Sequence, residues 1–293
     1  MSHDLPTFQQ NNILAIFFML LTGACMVAVM VTLRYTDESL PSIQVAFIRY
    51  LFGLVIIFPF AIRELKLRNL KIPIVQHGIR GTLHGFGVVL WFYSVSQIPL
   101  SEVTAISYLT PIFTTIGAIV LFKERLTKQR SLAILTAIIG AILILKPGLE
   151  VISSGKSAQL LSTLLFAASY LITKILTKTE GIFLIVLMLN FFATITLLPF
   201  ALMNWITPSM HDLGLLLAIA ILATFGHYFV TTAVALAPLS VTQPVIFLQL
   251  IWSTLIGLLI FGEPIDFLII IGGGFIVFAI TQIAYSEKKM QSK

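Results

Sequence analysis

Charge is scarce in this chain. Asp, Glu, Lys and Arg together make up only 10% of its 293 residues, against 58% hydrophobic residues and a mean hydropathy of +1.02. A water-soluble domain carries about a quarter charged residues, so this composition excludes a soluble fold and implies a polytopic, all-α membrane protein. Cysteine is nearly absent too. Cys25 alone rules out an intrachain disulfide and supplies no thiolate cluster for a metal; it reads as a small packing residue. No His-Glu-x-x-His or Gly-x-Ser-x-Gly pattern occurs, and no acidic pair lies inside an apolar run. This argues against an intramembrane enzyme, although His77, His84, His211 and His227 are chemically suited to metal ligation; no metal or other cofactor is expected. The absence of a G-x-x-x-x-G-K-[ST] loop argues against ATP-driven transport by this chain, and the absence of a ring-forming filter motif argues against a channel. The first residues carry no basic region ahead of the first apolar run and no evident small-residue cleavage site, so they are not read as a signal peptide.

What fills the chain instead is long apolar runs. A span needs roughly 20 mostly apolar residues to cross about 30 Å of hydrocarbon, and ten such runs are expected, over 12–33, 41–62, 74–96, 100–122, 129–146, 157–176, 181–203, 212–235, 239–261 and 265–285. The linkers at Pro99 and Pro238 are so short that the third and fourth spans, and the eighth and ninth, form tight helical hairpins. The formal charge of +6 does not point to nucleic acid, because the basic residues lie in short loops rather than on one domain face. With both termini cytoplasmic, thirteen Lys and Arg residues fall on the inner side and three (Arg34, Lys146, Lys156) on the outer. That bias sets the expected orientation in a bacterial inner membrane.

The stretch from Pro99 to Glu124 (PLSEVTAISYLTPIFTTIGAIVLFKE) has an echo from Pro238 to Glu263 (PLSVTQPVIFLQLIWSTLIGLLIFGE), at a constant offset of 139 residues. The same offset carries Phe86-Gly87 onto Phe225-Gly226, and one residue more carries Pro59-Phe60-Ala61 onto Pro199-Phe200-Ala201 and Arg34 onto Lys174. Two repeats, 1–148 and 149–293, are therefore expected, each of five spans. An odd number of spans per repeat places the second copy in the membrane upside down. The loop charges agree: the basic segment 63–73 corresponds to 204–211, and the basic loop after Glu124 to the loop after Glu263, both without Lys or Arg. Inverted repeats of this kind build carriers that expose a midplane cavity to alternate sides.

These residues resemble the EamA group of the drug/metabolite transporter superfamily. The resemblance rests on VAFIRY (45–50), HGIRG (77–81), and the succession P-L-S, T-P-I-F, L-F-K-E in the fourth span with its echo before Glu263. Within that group HGIRG, NWITPS (204–209) and AYSEKK (284–289) are similar to S-adenosylmethionine uptake permeases. The resemblance implies a secondary carrier of a small organic metabolite, with amino acids, riboflavin and related metabolites as alternative cargo. The pattern departs from internal symmetry at Pro111, matched by Leu250, and at Glu102, matched by Val241.

Ionisable groups inside spans need a partner or a cavity. Arg80, His84, Gly87 and Trp91 recur at helical spacing and share one face of the third span, which is expected to line the cavity; for Arg80 and His84 the alternatives are snorkelling and plain packing. Gly81 and Gly85 make a small-xxx-small stripe for a neighbouring span. In the eighth span His227, with Thr224 and Thr231, is expected to face that surface. Tyr108, Gln243, Gln249 and Trp252 in the fourth and ninth spans, and Tyr170 in the sixth, offer stacking and hydrogen-bonding groups for a planar or cationic substrate. Arg49 either holds a substrate carboxylate or bonds helix-end carbonyls. Glu102 is the candidate for proton coupling, or an ordinary first-turn carboxylate. Glu124 and Glu263, at matched helix ends, read as architecture. The expected partners are a small-molecule substrate and the lipid bilayer, with a homodimer left open.

Overall fold

A computed structural model describes residues 11–66, 72–122, 128–146, 152–176, 179–237, 245 and 248–291. These residues form eleven helices and no strand: α1 (Asn12–Leu33), α2 (Ser42–Lys66), α3 (Ile74–Gln97), α4 (Leu100–Ser107), α5 (Leu109–Phe122), α6 (Lys128–Leu145), α7 (Ser154–Leu176), α8 (Ile182–Met203), α9 (Met210–Leu236), α10 (Leu248–Phe261) and α11 (Phe267–Gln291). Their starts follow local chemistry. Asn11 caps α1 by accepting the Leu14 N–H at 3.0 Å, and Ser209 and Asp212 form a reciprocal capping box on α9.

Two details go beyond the expected spans. The fourth span is built from two helices, α4 and α5, interrupted at Tyr108. Pro111 explains the break, since a proline has no N–H to give the carbonyl four residues earlier and its ring crowds that carbonyl, here Ser107. The last helix runs to Gln291, six residues beyond the expected span. Of the ninth span, residues 239–244, 246 and 247 lie outside the described residues.

Among the described residues, five segments are long and apolar enough to cross a membrane by length and composition: Asn12–Leu33, Ser42–Ile62, Leu100–Leu121, Ile182–Met203 and Met210–Val230. Helices α3 and α7 are long enough but more polar. They pack along each other, which hides their polar faces from lipid.

The pairing of helices is regular. α1 runs along α9 and α3 along α7; α3 meets α8 and α2 meets α9; α2 lies along α8 and α6 along α11. Advancing five spans turns each of the first two pairings into the other, does the same for the second two, and returns the last two to themselves. The matched glycines follow this rule. A Cβ at Gly87 would come within 2.8 Å of Phe166 on α7, and one at Gly226 would strike Met26 on α1. Helices α6 and α11 meet through Gly140 and Gly272, where an added Cβ would lie 2.5 and 2.6 Å from the opposite carbonyl oxygen.

One end of the bundle is tied by ion pairs. Arg34 contacts Glu263 at 2.6 Å and donates from Nε to the Val95 carbonyl and from Nη2 to the Ile98 carbonyl. Glu263 also accepts the Leu100 N–H at 2.9 Å, at the start of α4. Lys146, whose positive φ of 49° follows the end of α6, bonds Asp266 at 2.6 Å. Lys156 meets Glu102 at 3.5 Å. All six residues sit on the side with few basic residues, the expected outer side.

Candidate functional site

A small cavity lies where helices of both halves of the chain converge. Its walls come from Arg80 on α3, Tyr170 and Thr173 on α7, Ile182, Ile185, Val186 and Leu189 on α8, and His227 and Val230 on α9. Its volume, about 40 Å³, admits roughly three waters. An organic metabolite needs several-fold more room, of the order of 300 Å³ or above, so these helices must separate before a substrate fits.

Arg80 is the best-anchored polar group there. It is 6% exposed; its Nε donates to the Thr173 hydroxyl at 2.6 Å and its Nη1 to the Ile185 carbonyl at 2.9 Å. A single guanidinium thus joins α3 to α7 and α8. This is no snorkelling side chain reaching for headgroups. One turn along α3, His84 is buried, packs against Phe166 at 4.8 Å between ring centroids, and places Nδ1 3.3 Å from the Ser169 hydroxyl. Its ring lies 5.4 Å from that of His227, edge to face. The third and eighth spans therefore bring their histidines together, as their spacing suggested. The neighbouring stripe, about 100° around α3, behaves as a packing surface: a Cβ at Gly81 would strike Phe192, and one at Gly85 would contact Ala193 at 3.4 Å, both on α8.

The remaining candidates distribute unevenly. Tyr170 lines the cavity and keeps 42% of its surface accessible. Arg49 on α2 is buried, with its guanidinium carbon 4.2 Å from the centroid of the Tyr50 ring, and does not line the cavity. Its Nη1 has no hydrogen-bond partner. Trp91 is half-buried two turns beyond His84, its ring tilted by 36° against that of Phe92 at 5.4 Å between centroids. Tyr108, at the α4–α5 break, is buried and hydrogen-bonds the Leu250 backbone on α10. Gln249 lies opposite Gly23 of α1, and Trp252 is half-exposed on α10; neither lines the cavity. Gln243 lies outside the described residues. Glu102 is buried against Lys156 at the end of the bundle tied by ion pairs, away from the cavity walls. Sequence reasoning passed over Thr173, Ser169 and Lys156, which partner Arg80, His84 and Glu102. The Ser169–Thr173 spacing along the polar stripe of α7 was the signal available.

Comparison with known proteins decides the family. The EamA-like transporter family matches residues 13–146 and again 153–285. The chain belongs to the EamA-like transporter family. Among curated EamA relatives, an S-adenosylmethionine uptake transporter of Rickettsia prowazekii (strain Madrid E) is 30% identical over 88% of this chain and 88% of its own length. A riboflavin transporter of Brucella anthropi is 27% identical over 78% and 82%, and a pseudopaline exporter of Pseudomonas aeruginosa 23% identical over 87% and 90%. A solved crystal structure, 14% identical, superposes with a TM-score of 0.61 over 95% of this chain and 96% of that one. Its fold is the same. The EamA assignment makes this chain a multi-pass membrane transporter of small metabolites, in agreement with the sequence reading.

Proposed function

We propose that the protein is a secondary carrier for a small organic metabolite of the S-adenosylmethionine type. It works by alternating access between two inverted five-span repeats, 1–148 and 149–293, in a bacterial inner membrane with both termini cytoplasmic. The observation that carries the reading is the cavity itself: walls from both repeats, a polar cluster of Arg80, His84, Tyr170 and His227, and a volume too small for the substrate. Closure around such a site, with the outer end latched by ion pairs, is what a carrier requires between its open states. The symmetric helix pairing, the matched Gly87 and Gly226 contacts, and the opposite loop charges support inversion of the second repeat. The names of the curated relatives support a metabolite cargo, with S-adenosylmethionine carried by the relative of 30% identity.

Tyr170 and Trp91 supply aromatic surface for a planar adenine or a sulfonium cation. The test is uptake of radiolabelled S-adenosylmethionine into proteoliposomes, with unlabelled competitor outside and S-adenosylhomocysteine inside. Saturable uptake that the internal compound accelerates supports a carrier working by exchange. A linear, uncompetable flux refutes alternating access.

A further inference from the structure

The cavity region is cationic, and no described residue of its wall balances the charge. Arg80 and Arg49 bury two guanidinium groups inside the bundle, 6% and 5% exposed, and none of the residues lining the cavity is acidic. The carboxylates of Glu102, Glu263 and Asp266 have basic partners of their own at the outer end. An arginine inside a membrane without a counter-anion carries a penalty of several kcal/mol, so its retention calls for an explanation beyond packing.

The two arginines differ in how far the protein satisfies them. Arg80 spends Nε and Nη1 on Thr173 and Ile185, which fixes the guanidinium plane in the cavity wall. Arg49 rests its guanidinium on the Tyr50 ring at 4.2 Å and leaves Nη1 buried with nothing to donate to. A purely structural arginine would be expected to fill its donors, because an unused buried donor is costly. Arg80 and His227 line the cavity, and Arg49 lies on α2, which packs along α8 and meets α9, the helices that supply most of the cavity wall.

Resting on the reading of this cavity as the transport site, we infer that Arg80 and Arg49 form a subsite for a carboxylate of the substrate. Arg80 presents a pre-oriented charge, and Arg49 supplies the second donor when α2 and α9 move apart to admit the ligand. A carboxylate is the matching shape, since a guanidinium offers parallel N–H donors to two oxygens. The subsite discriminates among the cargoes named for the relatives: S-adenosylmethionine carries a carboxylate and riboflavin carries none.

The experiment compares two competitors of radiolabelled S-adenosylmethionine uptake by the wild-type protein in proteoliposomes. Unlabelled S-adenosylmethionine and its decarboxylated analogue share the adenosyl and sulfonium groups and differ in the carboxylate. The expected result is that the decarboxylated compound competes about tenfold more weakly or worse, and that Arg49→Gln abolishes this preference while Arg49→Lys keeps part of it. Equal competition on wild-type protein overturns the subsite and leaves the carrier standing, and it requires no variant to fold. If folded protein shows no saturable uptake of S-adenosylmethionine, that substrate assignment fails separately. The subsite is then tested by thermal shift with methionine against methioninamide, where a larger shift with the acid supports it and equal shifts overturn it.

Discussion

Glu263→Gln isolates the outer latch, because the substitution preserves shape and removes only charge. In the wild type Glu263 takes Arg34 at 2.6 Å and the Leu100 N–H at 2.9 Å, with side chains 11% and 18% exposed for Glu263 and Arg34. A hydrogen bond to a charged group contributes about 1.5–3 kcal/mol; partial exposure places this one near the lower end, at about 2 kcal/mol. If the contact exists only while the outer end is closed, its loss raises the ratio of outward-open to closed carrier by about 30-fold, at 1.4 kcal/mol per tenfold. The assay is the labelling rate of a single cysteine at Ser101, a buried position in the first turn of α4, in a Cys25→Ser background with a membrane-impermeant maleimide applied outside. Labelling proportional to the open population should accelerate by about that factor. Arg34→Gln should reproduce the effect, and the double variant should add little, since both remove one interaction. An unchanged rate, or full additivity of the two variants, refutes the latch.

Further expectations follow from the same geometry. His84→Ala removes the contacts to Ser169, Phe166 and His227 and should lower uptake by about tenfold at equal membrane expression; Trp91→Ala should also lower it, and wild-type uptake by both would sink the proposed cavity face. Gly87→Ala drives a Cβ to 2.8 Å from the Phe166 ring, whereas the matched Gly226→Ala strikes the flexible end of Met26 and otherwise meets the Cys25 Cβ at an ordinary 3.4 Å. The first should therefore lose about 1–3 kcal/mol by overpacking and the second less, read as unequal falls in detergent melting temperature. Glu102→Gln removes the carboxylate that meets Lys156 at 3.5 Å. If Glu102 carries the coupling proton, this variant abolishes the response of uptake to an imposed pH gradient and retains exchange, whereas a preserved pH response assigns the residue to structure alone.

Most of the fold was legible because each span is an apolar run between breaks that water-exposed loops must supply. The end of α9 at Leu236 and the start of α8 at Ile182 fall within a residue of the reading. The α4–α5 interruption was also written in the sequence at Pro111, but a hydropathy run does not register a missing N–H. The extension of α11 to Gln291 escaped because its last turns are polar and carry no membrane signal. At the site, periodicity placed Arg80 and His84 on one face of α3 and pointed to His227 on α9. It could not supply their partners, since the Arg80–Ile185 contact spans 105 residues of chain. For Trp252 there was little to orient it: α10 is apolar nearly all round, so its sequence does not say which side faces lipid.

The crossing of α6 and α11 sets a boundary on any motion of this carrier. At Gly140 and Gly272 the two backbones meet with no side chain between them, so their separation is determined by main-chain contact and not by rotamers that can swing aside. A rocking cycle that opens the cavity beside α3, α8 and α9 has to pivot around this pair instead of through it. Spin labels placed on α6 and α11 near the crossing should therefore read one distance in every state of the cycle, and serve as the fixed ruler against which displacement of the other helices is measured.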